Sequence, residues 1–572
     1  MAPATSASED CAGWLLYASL AARCNDGGEA YRAAVFAMAL LATSFILTSL
    51  LHWASTPGGP AWGRYRWTST TSRAAISTSP RIPGPRGLPV VGSMGLMTGL
   101  AHRKLAAAVA AGGDDEEERS QRRRLMAFSM GETRAVVSSD PAVARELLSS
   151  PAFADRPVKE SAYGLLFHRA IGFAPHGAYW RSLRRVASAH LFSPRQVAAS
   201  AAHRAAIARS MVGSVSAIAM GSGEVEVRRF LKRAALHGVM WSVFGRRYDG
   251  TAAPELGKKE EEELRSMVEE GYELLGKLNW ADHLPWLARF DLQGIRARCA
   301  ALVPRVNRFV GKIVDDHRAA AAADAGDRVV DFTDVLLSLQ GADKLSDADM
   351  IAVLWEMVFR GTDTMAVVME WVLARLVMHQ DVQARVQEEL DRVVGPGQAV
   401  SESDAARLVY LQAVIKETMR LHPPGPLLSW ARLATSDVHV GGFLVPAGTT
   451  AMVNMWAITH DPTVWADPLE FNPDRFIVGA VPLSEGHHNA VPGAEFSIMG
   501  SDLRLAPFGS GRRICPGKPL AMASIGFWVA TLLHEFKWTS APRGDVDLSE
   551  VLRLSCEMAA PLKARLTPRR PV

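Results

Sequence analysis

Cysteine is scarce in this chain of 572 residues: Cys11, Cys24, Cys299, Cys515 and Cys556 are its only five. They are odd in number and widely scattered, without C-x-x-C pairs or the spacing of a zinc site, which argues against a disulfide framework or a structural metal cluster. A reduced body facing the cytosol is the simplest reading. A dominant charge is lacking too, because 63 Lys and Arg meet 59 Asp and Glu for a net +4. Without a basic tract interleaved with aromatics, a dedicated nucleic-acid binder is not indicated. Internal repeats are absent, and the chain reads as one long globular body.

Uncharged apolar runs long enough to cross a bilayer are equally scarce. Ala33 to Leu51 is nineteen residues without a charge and continues through His52-Trp53-Ala54. At about 1.5 Å per helical residue it covers a hydrocarbon core roughly 30 Å thick. Arg64, Arg66, Arg73, Arg81 and Arg86 follow it, whereas Arg23 and Arg32 before it are mixed with Asp26 and Glu29. That asymmetry places the C-terminal side in the cytosol. A cleaved signal peptide is the rival reading, disfavoured because the run is long, begins late and has no basic segment before it. Ala12 to Ala22 is too short to span.

The expected organisation is therefore an N-terminal extension over 1–32 in the lumen, a transmembrane helix over 33–54, a linker and proline-rich hinge over 55–89, and the main body over 90–572. Pro80, Pro83, Pro85 and Pro89 deny helix and predict a stiff extended segment. Gly112 to Glu118 followed by Arg122-Arg123-Arg124 predicts an exposed polar insertion in a loop, and Lys258 to Glu263 a solvated loop or helix start. Helical periodicity runs through Ala205 to Met220, Leu264 to Leu278, Ile295 to Ala323 and Val382 to Val394. β-rich pieces such as Val438 to Val445 are few. The fold class is mainly α with small β-sheets.

One cysteine stands apart. Pro507-Phe508-Gly509-Ser510-Gly511-Arg512-Arg513-Ile514-Cys515-Pro516-Gly517 sets Cys515 among three glycines and two arginines, just before an apolar helix expected over Leu520 to Phe536. Cations, backbone N–H groups and a helix N-terminus all favour a thiolate, the form that binds iron. Glycines let the backbone come close to the metal and the sulfur. A single thiolate on such a loop is a haem-thiolate arrangement, and a buried structural cysteine is the bland alternative. Phe508, Gly511, Arg513, Cys515 and Gly517 match, in order and spacing, the haem signature of the cytochrome P-450 monooxygenases, which this chain resembles.

Further motifs extend the resemblance from about Pro80 to Leu566. Ser346-Asp347-Ala348-Asp349 has a helix-start pattern, and a helix to about Met378 would reach roughly 50 Å. Within it Phe359-Arg360-Gly361-Thr362-Asp363-Thr364 is similar to the family's Gly-x-Asp-Thr element. Gly361 would leave room for dioxygen or substrate, and Asp363 and Thr364 would relay protons. Arg360 departs from the small residue usual there, and either lines the pocket, favouring a polar or anionic substrate group, or is structural.

Glu417 and Arg420, on a helix over Leu411 to Leu421, with Arg475 in Phe471-Asn472-Pro473-Asp474-Arg475-Phe476, resemble the buried charge clamp that would hold the Cys515 loop. Trp180 and Arg184 share a helix face and resemble the pair that meets a haem propionate; Arg513 is a second propionate candidate, and His439 and Arg432 are weaker ones. By position in the family, substrate contacts come from Ser161 to Phe167, from Val358, Phe359 and Gly361, from Pro426 to Ser429 and from Met558 to Pro561. Their apolar character suggests a hydrophobic substrate such as a fatty acid.

The N-terminal extension, Asn279 to Trp286 and the Phe359 to Thr364 element look most like the plant plastochron and giant-embryo subfamily, associated with organ size. The resemblance implies a monooxygenase of the endoplasmic reticulum with haem b (iron protoporphyrin IX). Electrons would come from NADPH through a partner NADPH-cytochrome reductase on a basic face near Cys515. Two other classes stay open: a haem-thiolate isomerase or dehydratase acting on a peroxide, and a non-catalytic haem-binding signalling protein.

Overall fold

The structure, a computed structural model, describes residues 28–68, 80–112, 115–221, 224–246, 254–322, 330–395, 397–428, 431–477, 498, 502–541 and 545–569. The apolar stretch Ala12 to Ala22 and Ser429 fall outside the described residues. The body is mostly helical, with small sheets and one apolar N-terminal helix, Gly28–Ser55, of which Ala34–Ser55 is long and apolar enough to cross a membrane.

The central element is the helix Asp347–Met378. It starts where expected because the Ser346 hydroxyl accepts from the Asp349 N–H, satisfying one of the N–H groups that a helix start leaves unpaired. Most of its residues are buried, Trp355 and Trp371 among them, and helices Val227–Phe244, Ile295–Ala322, Val409–Leu421 and Lys518–Glu535 pack around it. Burying aromatic side chains of this size supplies a large share of the hydrophobic driving force, at about 25 cal/mol per Å².

Sheets flank this helical core. Met126–Met130 pairs antiparallel with Thr133–Ser138, which runs parallel to Thr450–Val453, and Arg432–Leu433 closes the far edge. A second sheet joins Glu224–Glu226, Lys563–Pro568 and Phe536–Ser540, and two hairpins, 438–445 and 550–558, complete the β structure.

Two segments read as a linker and as a loop insertion contain helices. Part of the 55–89 stretch is the helix Pro60–Thr68, and Trp62 is buried against the first sheet, its indole N–H donating to the Phe128 and Ala135 carbonyls at 3.1 and 3.3 Å. The proline-rich segment packs beside it: the Ala127 N–H donates to the Pro83 carbonyl, and a Cβ at Gly84 would lie 1.9 Å from the Ala127 oxygen. The linker is thus docked on the body, because an indole and a glycine-tight backbone contact outweigh the polar composition around them. The charged insertion is likewise not a loop throughout. Glu116–Arg124 is helical, with Asp115 as N-cap, acidic residues in its first turn and arginines in its last, an order that complements the helix dipole. Lys258 to Glu263 lies inside the helix Pro254–Gly276.

Candidate functional site

Cys515 ends a loop folded back on itself, its N–H donating to the Phe508 carbonyl at 3.0 Å. Gly511 is there for a different neighbour than expected. It has φ +68° and a Cβ would lie 1.9 Å from the Leu148 carbonyl oxygen, so this glycine seats the loop against the helix Pro141–Ser149, not against a metal. Gly517 caps the helix Lys518–Glu535, and its N–H points at the Cys515 sulfur.

Burial pushes the Cys515 thiol up; the Gly517 N–H and then the charges of Arg360, Arg184 and Lys518 act in the opposite direction. The loop's own arginines were expected to favour the thiolate, but Arg512 is exposed and Arg513 is turned toward backbone carbonyls. Desolvation prevails here, so metal binding and loss of the thiol proton are coupled.

The cavity above the sulfur is walled by Phe508, Gly509, Pro516 and Gly517 on the loop side and by Arg360, Gly361, Thr364, Met365 and Val368 of the central helix on the other. Arg156, Arg184, Arg432 and Arg513 complete one edge. Arg184 donates to the Ile514 carbonyl at 2.6 Å. Arg513 donates to the carbonyls of Ala154, Ile171 and Ala174, with Asp155 3.6 Å away. Trp180 is not itself part of the wall. Its indole N–H donates to Ile171, and its ring lies under Arg513 at 4.4 Å and Arg184 at 5.6 Å. Of the weaker candidates, Arg432 lines the cavity, whereas His439 is exposed on the 438–445 hairpin and does not.

Arg156, which sequence reasoning passed over, belongs to this cluster; its only signal was the Asp155-Arg156-Pro157 segment following a buried Phe153 and Ala154. Burial lowers the pKa values of these guanidinium groups, and repulsion by neighbouring arginines adds to it for Arg156, Arg432 and Arg513; Arg432 falls to about 9 and Arg513 to about 10. Arg432 Nη1 is buried without a hydrogen-bond partner.

Buried cations crowding one edge of an otherwise apolar cavity call for carboxylates there, and a sulfur at its floor calls for a metal. Iron protoporphyrin IX presents both. The residues therefore fit haem: Cys515 would hold its iron, and Arg156, Arg184, Arg432 and Arg513 would meet its carboxylates. When bound, the haem supplies the redox chemistry that activates dioxygen.

On the central-helix wall of the same cavity, Thr364 faces inward and its hydroxyl donates to the Arg360 carbonyl at 3.4 Å. Asp363 does not join it. Its carboxylate pairs with Lys232 at 2.8 Å and lines a second, wider cavity. Adjacent positions on a helix lie about 100° apart, so the two side chains reach different spaces. A Cβ at Gly361 would lie 2.7 Å from Val239 Cγ2, so close packing of helix Val227–Phe244 also demands this glycine. Arg360 lines the haem cavity one turn after Glu356, a buried carboxylate whose Oε1 accepts from the Gly172 N–H at 2.8 Å. Burial raises the Glu356 pKa, and the Arg360 charge opposes that rise.

Glu417 and Arg420 are fully buried and form a forked pair at 2.7 and 2.8 Å, and Arg475 reaches Glu417 at 3.0 Å. Arg420 also donates to the carbonyls of Thr459, Pro468 and Glu470. The clamp thus ties helix Val409–Leu421 to the 459–475 segment. Among the described residues it makes no hydrogen bond to the 507–517 loop; Met419 of the same helix lines the cavity beside that loop.

The expected substrate segments shift. Ser161 to Phe167 forms the short helix Glu160–Gly164 and a turn packed away from the cavities, while Ile171, Gly172 and Phe173 take the wall position. Val358 and Phe359 are fully buried, the Phe359 ring resting on Phe167, Tyr272 and Trp355. Pro426 and Leu427 line the wider cavity and Leu428 the haem cavity. Met558 is buried, and Leu552 to Ser555 with Glu557 face the wider cavity instead. The two cavities share Tyr272, Gly425, Leu554 and Ser555 as common wall. The wider one carries many charged side chains on its wall, which the apolar composition of the expected segments did not indicate.

Comparison with known proteins agrees with this geometry. The cytochrome P450 family model matches residues 83–559. Cytochrome P450 78A9 of Arabidopsis thaliana is 56% identical over 93% of this chain and 94% of its own length. Cytochrome P450 78A11 of Oryza sativa subsp. japonica is 52% identical over 100% and 99%. A flavonoid 3'-monooxygenase of Crocosmia x crocosmiiflora is 33% identical over 87% and 94%. Identity at this level over nearly the whole body shows that the chain belongs to the cytochrome P450 family and, within it, to the 78A group of the plastochron and giant-embryo type.

Proposed function

We propose that this protein is a membrane-anchored haem-thiolate monooxygenase. It inserts one oxygen atom from dioxygen into a hydrophobic small molecule such as a fatty acid, with electrons from NADPH delivered by a partner reductase. The observation that carries the reading is the placement of Thr364 across the cavity from Cys515, with Asp363 next to it on a charged, solvent-reaching wall. A hydroxyl facing the thiolate cavity, with a carboxylate at the next helix position on the neighbouring cavity, supplies two groups for proton delivery to dioxygen. Peroxide isomerisation has no need of it.

The apolar span Ala34–Ser55 and the arginines after it support anchoring in the endoplasmic reticulum with the body in the cytosol. Reconstitution with an NADPH-dependent reductase, isotopically labelled dioxygen and a panel of fatty acids tests the reading. Label in a hydroxylated product, dependent on NADPH, is expected. Conversion of fatty-acid hydroperoxides without NADPH or dioxygen, and no labelled product, overturns it.

The likeness to the organ-size group extends the proposal to growth control. A Cys515→Ala transgene is expected to fail to restore growth in plants lacking the protein. Full restoration by that haem-free variant would show a non-catalytic signalling role.

A further inference from the structure

The wider cavity carries six lysines and arginines on its described wall: Lys159, Arg228, Lys232, Lys277, Arg298 and Arg553. Five are matched by carboxylates. Arg228 meets Glu370 at 2.7 Å, Lys232 meets Asp363 at 2.8 Å, and Lys277 meets Glu273 at 2.6 Å. Arg298 meets Glu273 at 2.9 Å and Arg553 meets Glu557 at 3.3 Å.

Lys159 is different. Its ammonium donates to the Leu275 carbonyl at 2.6 Å, and no carboxylate of the described residues lies within ion-pair distance of it. The two acids beside it are engaged elsewhere. Asp282 accepts from the Glu160 N–H at 2.9 Å, and the Glu160 carboxylate takes Arg296 and Asn279. An ammonium has three N–H donors, and one is used by Leu275. Burial pulls its pKa down to about 8 against the attraction of Asp282, as expected for a cation without a full counter-charge.

We propose that Lys159 binds the carboxylate head group of an amphiphilic substrate lying in the wider cavity, with its apolar chain passing Tyr272 and Leu554 into the haem cavity. The path exists because those two residues, with Gly425 and Ser555, wall both spaces. The chain then meets Val239, Met365, Val368 and Leu428, an apolar lining suited to it. A carboxylate at Lys159 completes an ion pair in a partly desolvated wall, where it is worth more than at the open surface. Arg228 and Lys232 cannot serve equally, because recruiting either one strips Glu370 or Asp363 of its partner. The assignment rests on the lipid monooxygenase reading above.

Binding of tetradecanoate and of methyl tetradecanoate to the full-length holoenzyme, followed by the haem spin-state change, tests it. The wild-type protein is expected to bind the acid at least about 10-fold tighter than the ester, the margin of one charge-assisted hydrogen bond. Lys159→Met is expected to abolish that preference while leaving the Kd for the ester unchanged, and Lys159→Arg to keep it. The carbon monoxide complex of each variant verifies that the haem site is intact. Survival of the preference in Lys159→Met, or a parallel loss of ester binding, overturns the head-group assignment. Equal binding of acid and ester by the wild type overturns it as well, whereas binding of neither defeats the lipid reading and this assignment with it.

Discussion

Lys232 Nζ lies 2.8 Å from Asp363 Oδ1, so the carboxylate adjacent to Thr364 is held toward the wider cavity and not the one beside Cys515. Glu557 stands 3.9 Å from the same ammonium and Arg228 3.8 Å from Glu557, so the pair is one end of a chain of charges running along the wider cavity. Asp363 thus faces the wider cavity while Thr364 faces the cavity beside Cys515. Handing a proton from one to the other requires either a bridging water or rotation of Asp363 away from Lys232.

That division of labour gives separable phenotypes. Thr364→Ala is expected to leave NADPH consumption largely intact while product per NADPH falls several-fold and hydrogen peroxide rises. Asp363→Asn is expected to slow turnover by about 10²-fold, the usual contribution of a positioned proton donor, with an enlarged solvent isotope effect. Unchanged coupling in Thr364→Ala contradicts the relay.

The clamp should fail as a unit. Glu417→Ala leaves the fully buried Arg420 without its anion and beside Arg475, a loss on the order of 3–5 kcal/mol. The expected result is little folded, haem-loaded protein on expression. Arg475→Ala, at the more open end of the clamp, is expected to retain haem with a lowered Tm.

The arginine edge predicts opposing effects on two measurable quantities. Arg432 is buried among Arg184 and Arg513 and has an unpartnered Nη1, so its charge weighs against the folded chain until carboxylates neutralise it. Arg432→Met is expected to raise the Tm of haem-free protein and to speed haem loss from the loaded form, read by transfer to an acceptor globin. A variant that loses stability in both forms contradicts this view.

The docked segment after the membrane span predicts a truncation boundary. A chain beginning near residue 56 keeps Trp62 and its two indole hydrogen bonds, whereas one beginning at residue 80 loses them and uncovers the first sheet. The longer form is expected to be more stable, and Trp62→Ala within it to cost about 3–5 kcal/mol. Equal Tm values for the two truncations would show that the segment is a tether.

Acid stability follows from buried neutral histidines. Burial is the first cause of the low pKa values of His283, His422 and His460, about 4, 4 and 3, against 6.5 when unfolded. Between those values the unfolded chain binds more protons than the folded one, so stability rises with pH in that window and is lost as pH falls from about 6.5 toward 4. His460→Gln is expected to flatten the dependence of Tm on pH there. An unchanged slope contradicts the assignment.

Much of this was legible in local sequence. The Cys515 loop, the start and length of the central helix and the Glu417, Arg420 and Arg475 clamp are set by residues whose spacing states their geometry. Ser346 caps its helix as its pattern predicts. What local pattern could not carry was partnership across long separations. Lys232 for Asp363, Val239 against Gly361 and Leu148 against Gly511 are contacts between elements far apart in the chain. Composition misled at the 55–89 segment because one buried indole fixed part of it, and at the wider cavity because its charged residues, Lys159, Lys232, Arg298 and Arg553 among them, come from separate elements. Arg360, ambiguous in the sequence, is placed at the haem cavity by the rotation of its helix.

The central claim is that the Cys515 thiolate ligates haem iron in a chain that activates dioxygen. The carbon monoxide difference spectrum of the reduced protein tests it most directly. The wild type is expected to show the red-shifted Soret band of thiolate ligation, and Cys515→His to bind haem, if at all, with the band of a nitrogen-ligated iron. A thiolate-type band that survives in Cys515→His, or a wild type that shows only the nitrogen-type band in freshly reduced, active protein, would contradict the account.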